Sequence, residues 1–580
     1  MTDISNNPNK SFFVKNNAKN NLSFGQANIN IAALSDTHGQ IDKCAAIQDT
    51  YEKNKNQIHP DGKNPSNKNV LAVVGDWFMN PTRKGYLSFK ETIGDMQGKF
   101  LGDMIDRMKS GLGNLTTLYT PGNHCLEGGD SFLFDKTKKC DMTTVMTNVN
   151  VENSKSITSL EPEAQKKITT STILEVPDDK NPDKVHKMLV LGMICPNMDY
   201  YCNGLINDLD ILDRNRKKEV KLEEGDLTET YKQFNEEIAK FKEENPDSPV
   251  MLLNHAGQRV VQMLCNHCDL DLVLNGHDHK DETSVFTSAA TGKETLVCSL
   301  SENAKLMDAV NVHFDDDGKF SFDSKTLYVK LEEQDAIFKK QFDETFAEDT
   351  KGIVEITDPA GCDRLKVDNI RFADNPLEKL VTDTIISHIK TKEPDTQLFM
   401  MNTSAFRSEL QVDKENPVTN MQLMDLMSGL IEKEAKIRVG NFPGETIAKM
   451  VDQNVRENNE NKTRNVLMGW SGLQMDRGAI IRLQNEGNTD MKEVAKFIKI
   501  MDENGEYQPI DFSKTYKTAV TQKLFDKTGI EDVKKLDGEF IHLGETANDC
   551  LLAGVKEKGY KLTVPQDIRV IDDGEGERKS

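Results

Sequence analysis

The sequence predicts a two-domain α/β protein, and three observations carry that expectation. With 580 residues the chain is too long for a single hydrophobic core. From Asn28 to about Asp323, short apolar runs alternate with charged, helix-compatible stretches, the pattern of a layered α/β domain. A second region of the same character runs from about Gly352 to Asp572.

Residues 1–25, rich in Asn and Lys, are expected to form a mobile tail. A first domain follows over 26–325, and five apolar runs mark its strands. Ile29-Asn30-Ile31-Ala32-Ala33-Leu34 leads into Ser35-Asp36-Thr37-His38, and Val70-Leu71-Ala72-Val73-Val74 into Gly75-Asp76. Leu115-Thr116-Thr117-Leu118-Tyr119 precedes Thr120-Pro121-Gly122-Asn123-His124. Val250-Met251-Leu252-Leu253 ends at Asn254-His255, and Leu270-Asp271-Leu272-Val273-Leu274 at Asn275-Gly276-His277-Asp278-His279. The polar inserts Val151 to Lys187 and Asn207 to Asp247 read as loops and surface helices. Val329 to Asp349 has helical spacing and many charges, which predicts an interdomain helix over 326–350. The second domain is expected over 351–572, with a polar tail at 573–580.

Composition narrows the function classes. At 37% hydrophobic and 29% charged residues, the chain reads as a soluble globular protein rather than a fibrous or disordered one. A net charge of -22 argues against a general binder of nucleic-acid polymer or anionic membrane, since both require a basic surface. An anionic substrate would have to be attracted locally, by metal ions or a few arginines. No apolar run reaches the roughly 18 residues of a membrane span, and the first residues lack the apolar core of a secretory signal. Ten scattered cysteines do not make a disulfide framework. A reducing cytoplasm is therefore the default expectation; export without a cleaved signal stays open, as does the oligomeric state. Cys265 and Cys268 have zinc-like spacing but no second pair, so they read as buried helix cysteines.

Ligand sites in open α/β sheets lie outside the carboxyl ends of the strands, so the Asp, Asn and His residues that end the five runs would converge. Five of the eleven histidines fall in these blocks. Oxygen and imidazole ligands without thiolate suit Mn²⁺, Fe²⁺, Zn²⁺ or Co²⁺, with Mg²⁺ also open. A carboxylate can bridge two such ions about 3.5–4 Å apart. The pair generates hydroxide near neutral pH and stabilises the attacking and leaving oxygens at phosphorus. Singly, an Asp-x-His or Gly-Asp after a strand is an ordinary turn; all five together predict a two-metal centre.

These blocks resemble the five signature motifs of calcineurin-like metallophosphoesterases: DTH at Asp36–His38, GD at Gly75–Asp76, GNH at Gly122–His124, the single His255, and GHDH at Gly276–His279. The resemblance implies that Asp36, His38 and His279 hold one metal, that Asp76 bridges, and that Asn123, His255 and His277 hold the other. It makes His124 a group facing the phosphate, as electrostatic stabiliser or general acid, with Glu127 in the place of the Asp that orients it. Within that superfamily the chain is similar to the two-domain 5′-nucleotidase and 2′,3′-cyclic-nucleotide phosphodiesterase group. The similarity extends through Arg371 to Leu377, Asn402 to Arg407, Phe442 to Met450, Ser471 to Gln474 and Lys514 to Ala519, and covers roughly residues 28 to 530. It implies a layered β-sandwich flanked by helices, followed by an α/β substrate domain. In that group the second domain binds the nucleoside, which makes Arg371, Asn402 and Arg407 candidate substrate contacts. The implied activity is release of phosphate from a nucleotide, a small-molecule phosphoester.

The pattern breaks in two places. Cys125 follows GNH where the family has an acidic residue. The family clamps the base between two aromatic rings; here Ile431 to Ala435 has none, Phe525 offers one, and Thr403-Ser404-Ala405 replaces glycines that allow close approach. Two alternatives therefore stand beside the nucleotidase: a phosphodiester, non-nucleotide phosphate or sulfur ester as substrate on the same metals, and a catalytically silent binding protein.

Overall fold

A computed structural model of the chain describes residues 12–15, 27–79, 93–112, 114–126, 129–137, 140–196, 208–214, 222–301, 305–330, 333–347, 351–366, 374–406, 408–413, 415, 417–427, 432–461, 468–527, 533, 536 and 540–571. They fall into two compact units, one ending at Thr345 and the other beginning at Phe346.

The first unit is built from two sheets. Its strands are β1 Phe12–Lys15, β2 Ala27–Leu34, β3 Asn67–Val74, β4 Leu115–Thr120, β5 Thr143–Val145, β6 Ile168–Thr169, β7 Ser171–Pro177, β8 Val185–Ile194, β9 Val250–His255, β10 Leu272–Asn275, β11 Glu282–Thr287, β12 Glu294–Ser299, β13 Leu306–Phe314 and β14 Phe320–Tyr328. An eight-stranded sheet has the order β1-β14-β13-β2-β3-β4-β5-β6, and a six-stranded sheet the order β11-β12-β10-β9-β8-β7. β2, β3 and β4 run parallel in the first, and β8, β9, β10 and β12 in the second.

The sheets share one core. Ile29, Ile31, Ala33, Val70, Ala72 and Val74 point from one sheet towards Met251, Leu253, Leu272 and Leu274 of the other. The alternate residues Ala32, Leu34, Leu71 and Val73 are also fully buried. They lie on the outer face, where helices Cys44–Ile58 and Ile93–Ser110 pack. Burial on both faces is why these strands read as unbroken apolar runs rather than as alternation. The five expected strands are the observed β2, β3, β4, β9 and β10.

Two local expectations need correction. The tail expected over residues 1–25 includes a strand: Phe12–Lys15 pairs antiparallel with β14, Phe12 opposite Ser324. Its Phe-Phe-Val run supplies residues that favour strands. The rest of that tail, and residues 573–580, lie outside the described residues. The insert Val151 to Lys187 contributes β7, an edge strand whose Leu174 and Val176 alternate into the core. The charged segment expected as an interdomain helix holds helix Ala336–Thr345, whose Phe338 and Phe342 pack edge-on against Phe100 of the first unit.

The second unit centres on a five-stranded sheet of Met468–Ser471, Leu398–Asn402, Thr515–Thr521, Lys436–Pro443 and Ile541–Thr546, in that order. Phe399 and Met401 enter one core beneath helices Pro376–Lys392 and Ala547–Glu557. Leu398 and Met400 enter another beneath helix Gly444–Asn461. This is a sheet covered on both faces, an α/β layering as expected. Asn375 caps helix Pro376–Lys392 by accepting from the amides of Leu377 and Glu378, with Pro376 in the first turn.

Candidate metal centre

The parallel strands deliver the candidate ligands to one place. Asp36 and His38 follow β2, Asp76 follows β3, Asn123 follows β4, His255 ends β9, and His277 and His279 follow β10. Backbone bonds tie the loops together: the Asp36 amide donates to the Gly75 carbonyl at 3.2 Å, and the His38 amide to the Asp76 carbonyl at 2.7 Å. The two sheets are joined here as well, because the His277 amide donates to Asp36 Oδ2 at 3.1 Å.

Three imidazoles converge on one carboxylate oxygen. Asp36 Oδ1 lies 3.2 Å from His279 Nε2, 3.8 Å from His255 Nε2 and 3.9 Å from His38 Nε2. Asp76 Oδ2 lies 3.0 Å from His255 Nε2, 3.8 Å from His38 Nε2 and 4.0 Å from His124 Nε2. Donor groups able to hold a cation therefore overlap: Asp36, His38 and His279; Asp36, Asp76 and His255; His38, Asp76 and His124. Asn123 Oδ1 and His277 Nδ1 sit 2.9 Å apart beside them. His255 is oriented by its Nδ1, 2.8 Å from the Val74 carbonyl, which leaves Nε2 facing the carboxylates.

The backbone is bent to make this arrangement. Eight non-glycine residues have positive φ among the described residues, and five are Asp36 (50°), His38 (51°), Asp76 (45°), His277 (78°) and His279 (55°). Left-handed backbone costs a non-glycine residue roughly 1–2 kcal/mol, so its concentration here marks a site held in place by its surroundings. Close approach adds a second constraint. A Cβ on Gly75, itself at φ 75°, would fall 2.0 Å from His255 Nδ1, and one on Gly122 would fall 2.1 Å from Asp76 Oδ1.

Electrostatics favour a cation. Burial pushes the Asp36 carboxyl up, but His255 and His279 outweigh it and hold it below its ordinary value. Asp76 behaves likewise, with burial outweighed by His255 and His124. Burial works against charge on His255, yet Asp76 and Asp36 raise it to about 9. His277 goes down to about 4, through burial and the neighbouring His255. Two buried carboxylates that demand positive charge, ringed by imidazole nitrogens and lacking thiolate, fit a borderline divalent ion.

Sequence reasoning missed three supporting groups. Ser35 Oγ contacts both Asp36 Oδ2 and the Val74 carbonyl. The His124 amide donates to Asp76 Oδ1 at 2.8 Å, so His124 positions a carboxylate through its backbone as well as offering its ring. Asp278, between the two histidines, accepts from the Gln258 amide at the start of helix Gln258–His267. Asp278 lies after that helix in the sequence and reaches its first turn only through the fold, so no local signal could have found it. Cys125 is fully buried, and burial with the negative Asp76 pushes its thiol up to about 12, so it acts as a packed apolar group. Cys265 and Cys268 are likewise buried.

Glu127, Arg371 and Arg407 lie outside the described residues. Asn402 is buried in the second unit, where its side chain accepts from the Ser404 amide and caps the turn Thr403–Ala405. Phe525 is 6% exposed, packed on Phe540 at 5.0 Å with the Arg438 guanidinium over its face at 4.6 Å. It is a core residue, not a free ring for a base.

Residues 29–281 match the calcineurin-like phosphoesterase family. No curated protein matches the chain. Among solved structures, the chain is similar to a 5′-nucleotidase precursor from Thermus thermophilus, at 16% identity and TM-score 0.63, over 94% of this chain and 99% of that one. It is also similar to the sulfate thiohydrolase SoxB from the same organism, at 13% identity and TM-score 0.59, over 96% and 98%. A putative 5′-nucleotidase from Staphylococcus aureus follows, at 12% identity and TM-score 0.55, over 94% and 100%. These likenesses establish the fold.

Proposed function

We propose that this chain, whose residues 29–281 match the calcineurin-like phosphoesterase family, hydrolyses a small phosphoester with the aid of two divalent metal ions, and that a 5′-nucleotide is its first substrate to test. The observation that carries the reading is the convergence of Asp36, His38, Asp76, His255 and His279 on one buried point. Asp36, His38 and His279 would hold one ion, Asn123, His255 and His277 the other, with Asp76 between them. Divalent ions there supply Lewis acidity towards the phosphoryl oxygens and lower the pKa of water.

The chain's own part is positional. Val74 holds the His255 ring, the His124 amide holds Asp76, and the His277 amide holds Asp36. The His124 side chain is 10% exposed while that of Asp76 is 1% exposed, so the His124 ring sits nearer the opening. The His124 ring there would meet a phosphoryl oxygen and act as general acid towards the leaving oxygen. Arg371, Asn402 and Arg407 are proposed substrate contacts on resemblance, the arginines suited to anionic oxygens by their guanidinium forks.

A second reading keeps the centre and changes the substrate to a diester, a non-nucleotide phosphate or a sulfur ester. It is favoured by Phe525, whose burial removes the one ring offered for stacking a base. The experiment is phosphate release from nucleotides, cyclic nucleotides and aryl phosphates, alongside a sulfate ester. Mn²⁺, Zn²⁺ or Mg²⁺ is resupplied after chelation. Mononucleotide turnover that disappears in His277→Ala supports the first reading. Activity confined to aryl or sulfur esters supports the second. Bound metal with no turnover of any ester overturns both and leaves a binding protein of the same fold.

A further inference from the structure

The second unit carries another cluster of metal-type donors, built by three elements. His388 lies on helix Pro376–Lys392, Glu545 near the end of strand Ile541–Thr546, and Cys550 on helix Ala547–Glu557. We propose that His388, Glu545 and Cys550 form a separate zinc-class site that fastens these elements together.

The donor spacing is that of a coordination sphere. One ligand atom from each residue lies within 4.8 Å of the others. His388 Nε2 is 3.4 Å from Glu545 Oε1, and Cys550 Sγ is 3.9 Å from Glu545 Oε2. Tetrahedral zinc places nitrogen and oxygen ligands about 3.3 Å apart, and a sulfur about 3.6 Å from either. Small rotations of the Glu545 carboxyl therefore complete three corners, and a fourth is left for water. Thiolate, imidazole and carboxylate together select zinc over magnesium or calcium.

The surroundings also suit an ion. His388 is 6% exposed, and its Nδ1 lies 2.7 Å from Glu557 Oε1. That carboxylate-to-histidine contact is the arrangement that fixes a metal-binding ring with Nε2 towards the metal. Lys392 Nζ pairs with Glu545 Oε2 at 2.6 Å, which leaves Oε1 for the ion. Cys550 is fully buried, and burial with the carboxylates of Glu545 and Asp549 pushes its thiol up, so the thiolate would form only as the sulfur–metal bond does, its proton passing to solvent. Among the donors assembled in the first unit none is a thiol, so sulfur separates the two centres chemically.

The test is Co²⁺ titration of the full chain after chelation, read by thiolate-to-Co²⁺ charge-transfer absorption in the near ultraviolet. The expected result is a band whose final intensity corresponds to one thiolate-bound Co²⁺ per chain, absent in Cys550→Ser and retained in His277→Ala. Glu557→Gln should keep the band while weakening Co²⁺ about 10- to 100-fold. No band in the wild-type chain overturns the proposal, and so does a band that survives Cys550→Ser. Either result is independent of phosphoester turnover.

Discussion

Replacing Gly122 by alanine tests whether the metal centre depends on backbone approach as closely as its geometry says. The added Cβ would lie 2.1 Å from Asp76 Oδ1, 2.5 Å from the Asp76 amide nitrogen and 2.6 Å from Cγ. Ordinary contact between such atoms is about 3.5 Å, so the Asp76 carboxyl must retreat by about 1.4 Å. That retreat stretches its bonds to the His124 amide, now 2.8 Å, and to His255 Nε2, now 3.0 Å. Overpacking of this kind destabilises by about 1–3 kcal/mol, and a displacement of 1 Å at a reacting centre costs about 10²-fold in rate. The assay measures bound metal and kcat/KM for the best ester in the panel, with Gly225→Ala as control because nothing lies within 4 Å of its added Cβ. Gly122→Ala should lose at least about 10²-fold in kcat/KM and bind metal more weakly, while the control is unchanged. Full metal content with activity within about twofold of wild type would refute the argument that Asp76 is held by close packing.

Two further outcomes follow from the second unit. Burial raises the Glu378 carboxyl from 4.5 to about 8, with its oxygen accepting from the Trp470 amide at 2.6 Å. The folded chain thus keeps a proton that the unfolded chain has lost, so stability from this group is full below pH 4.5 and falls as pH rises to about 8. The slope is at most about 1.4 kcal/mol per pH unit. Denaturant unfolding of Glu378→Gln should remove that slope, and parallel curves for the two proteins would sink the assignment. Phe525→Ala should cost about 3–5 kcal/mol by chemical denaturation, as for other buried aromatics, yet leave KM unchanged at temperatures where it is folded. A large rise in KM without loss of stability would restore Phe525 to the substrate site.

Much of the candidate metal centre was legible because its strands are buried on both faces and so appear as apolar runs with abrupt polar ends. Asp36, Asp76, His255 and His279 end or follow those strands and bring their donor atoms together, and His277 follows one of them beside Asn123. What the sequence did not disclose was tertiary. Phe525 looks like an available ring until Phe540 and Arg438 close over it. Phe12–Lys15 looks like part of a polar tail because its pairing partner, β14, comes some three hundred residues later. His388, Glu545 and Cys550 carry no local motif, since helix and strand packing alone brings them together. Left-handed backbone at Asp and His also has no signature, unlike the glycines beside them.

That left-handed backbone sets the stability of the first unit against the geometry of its cluster. At Asp36, His38, Asp76, His277 and His279, replacement by glycine would relieve local strain. Folding alone therefore gives no reason for Asp or His at these positions, and each substitution by glycine should raise stability while removing a donor group. The stability given up at these five positions is what the cluster's geometry costs the fold.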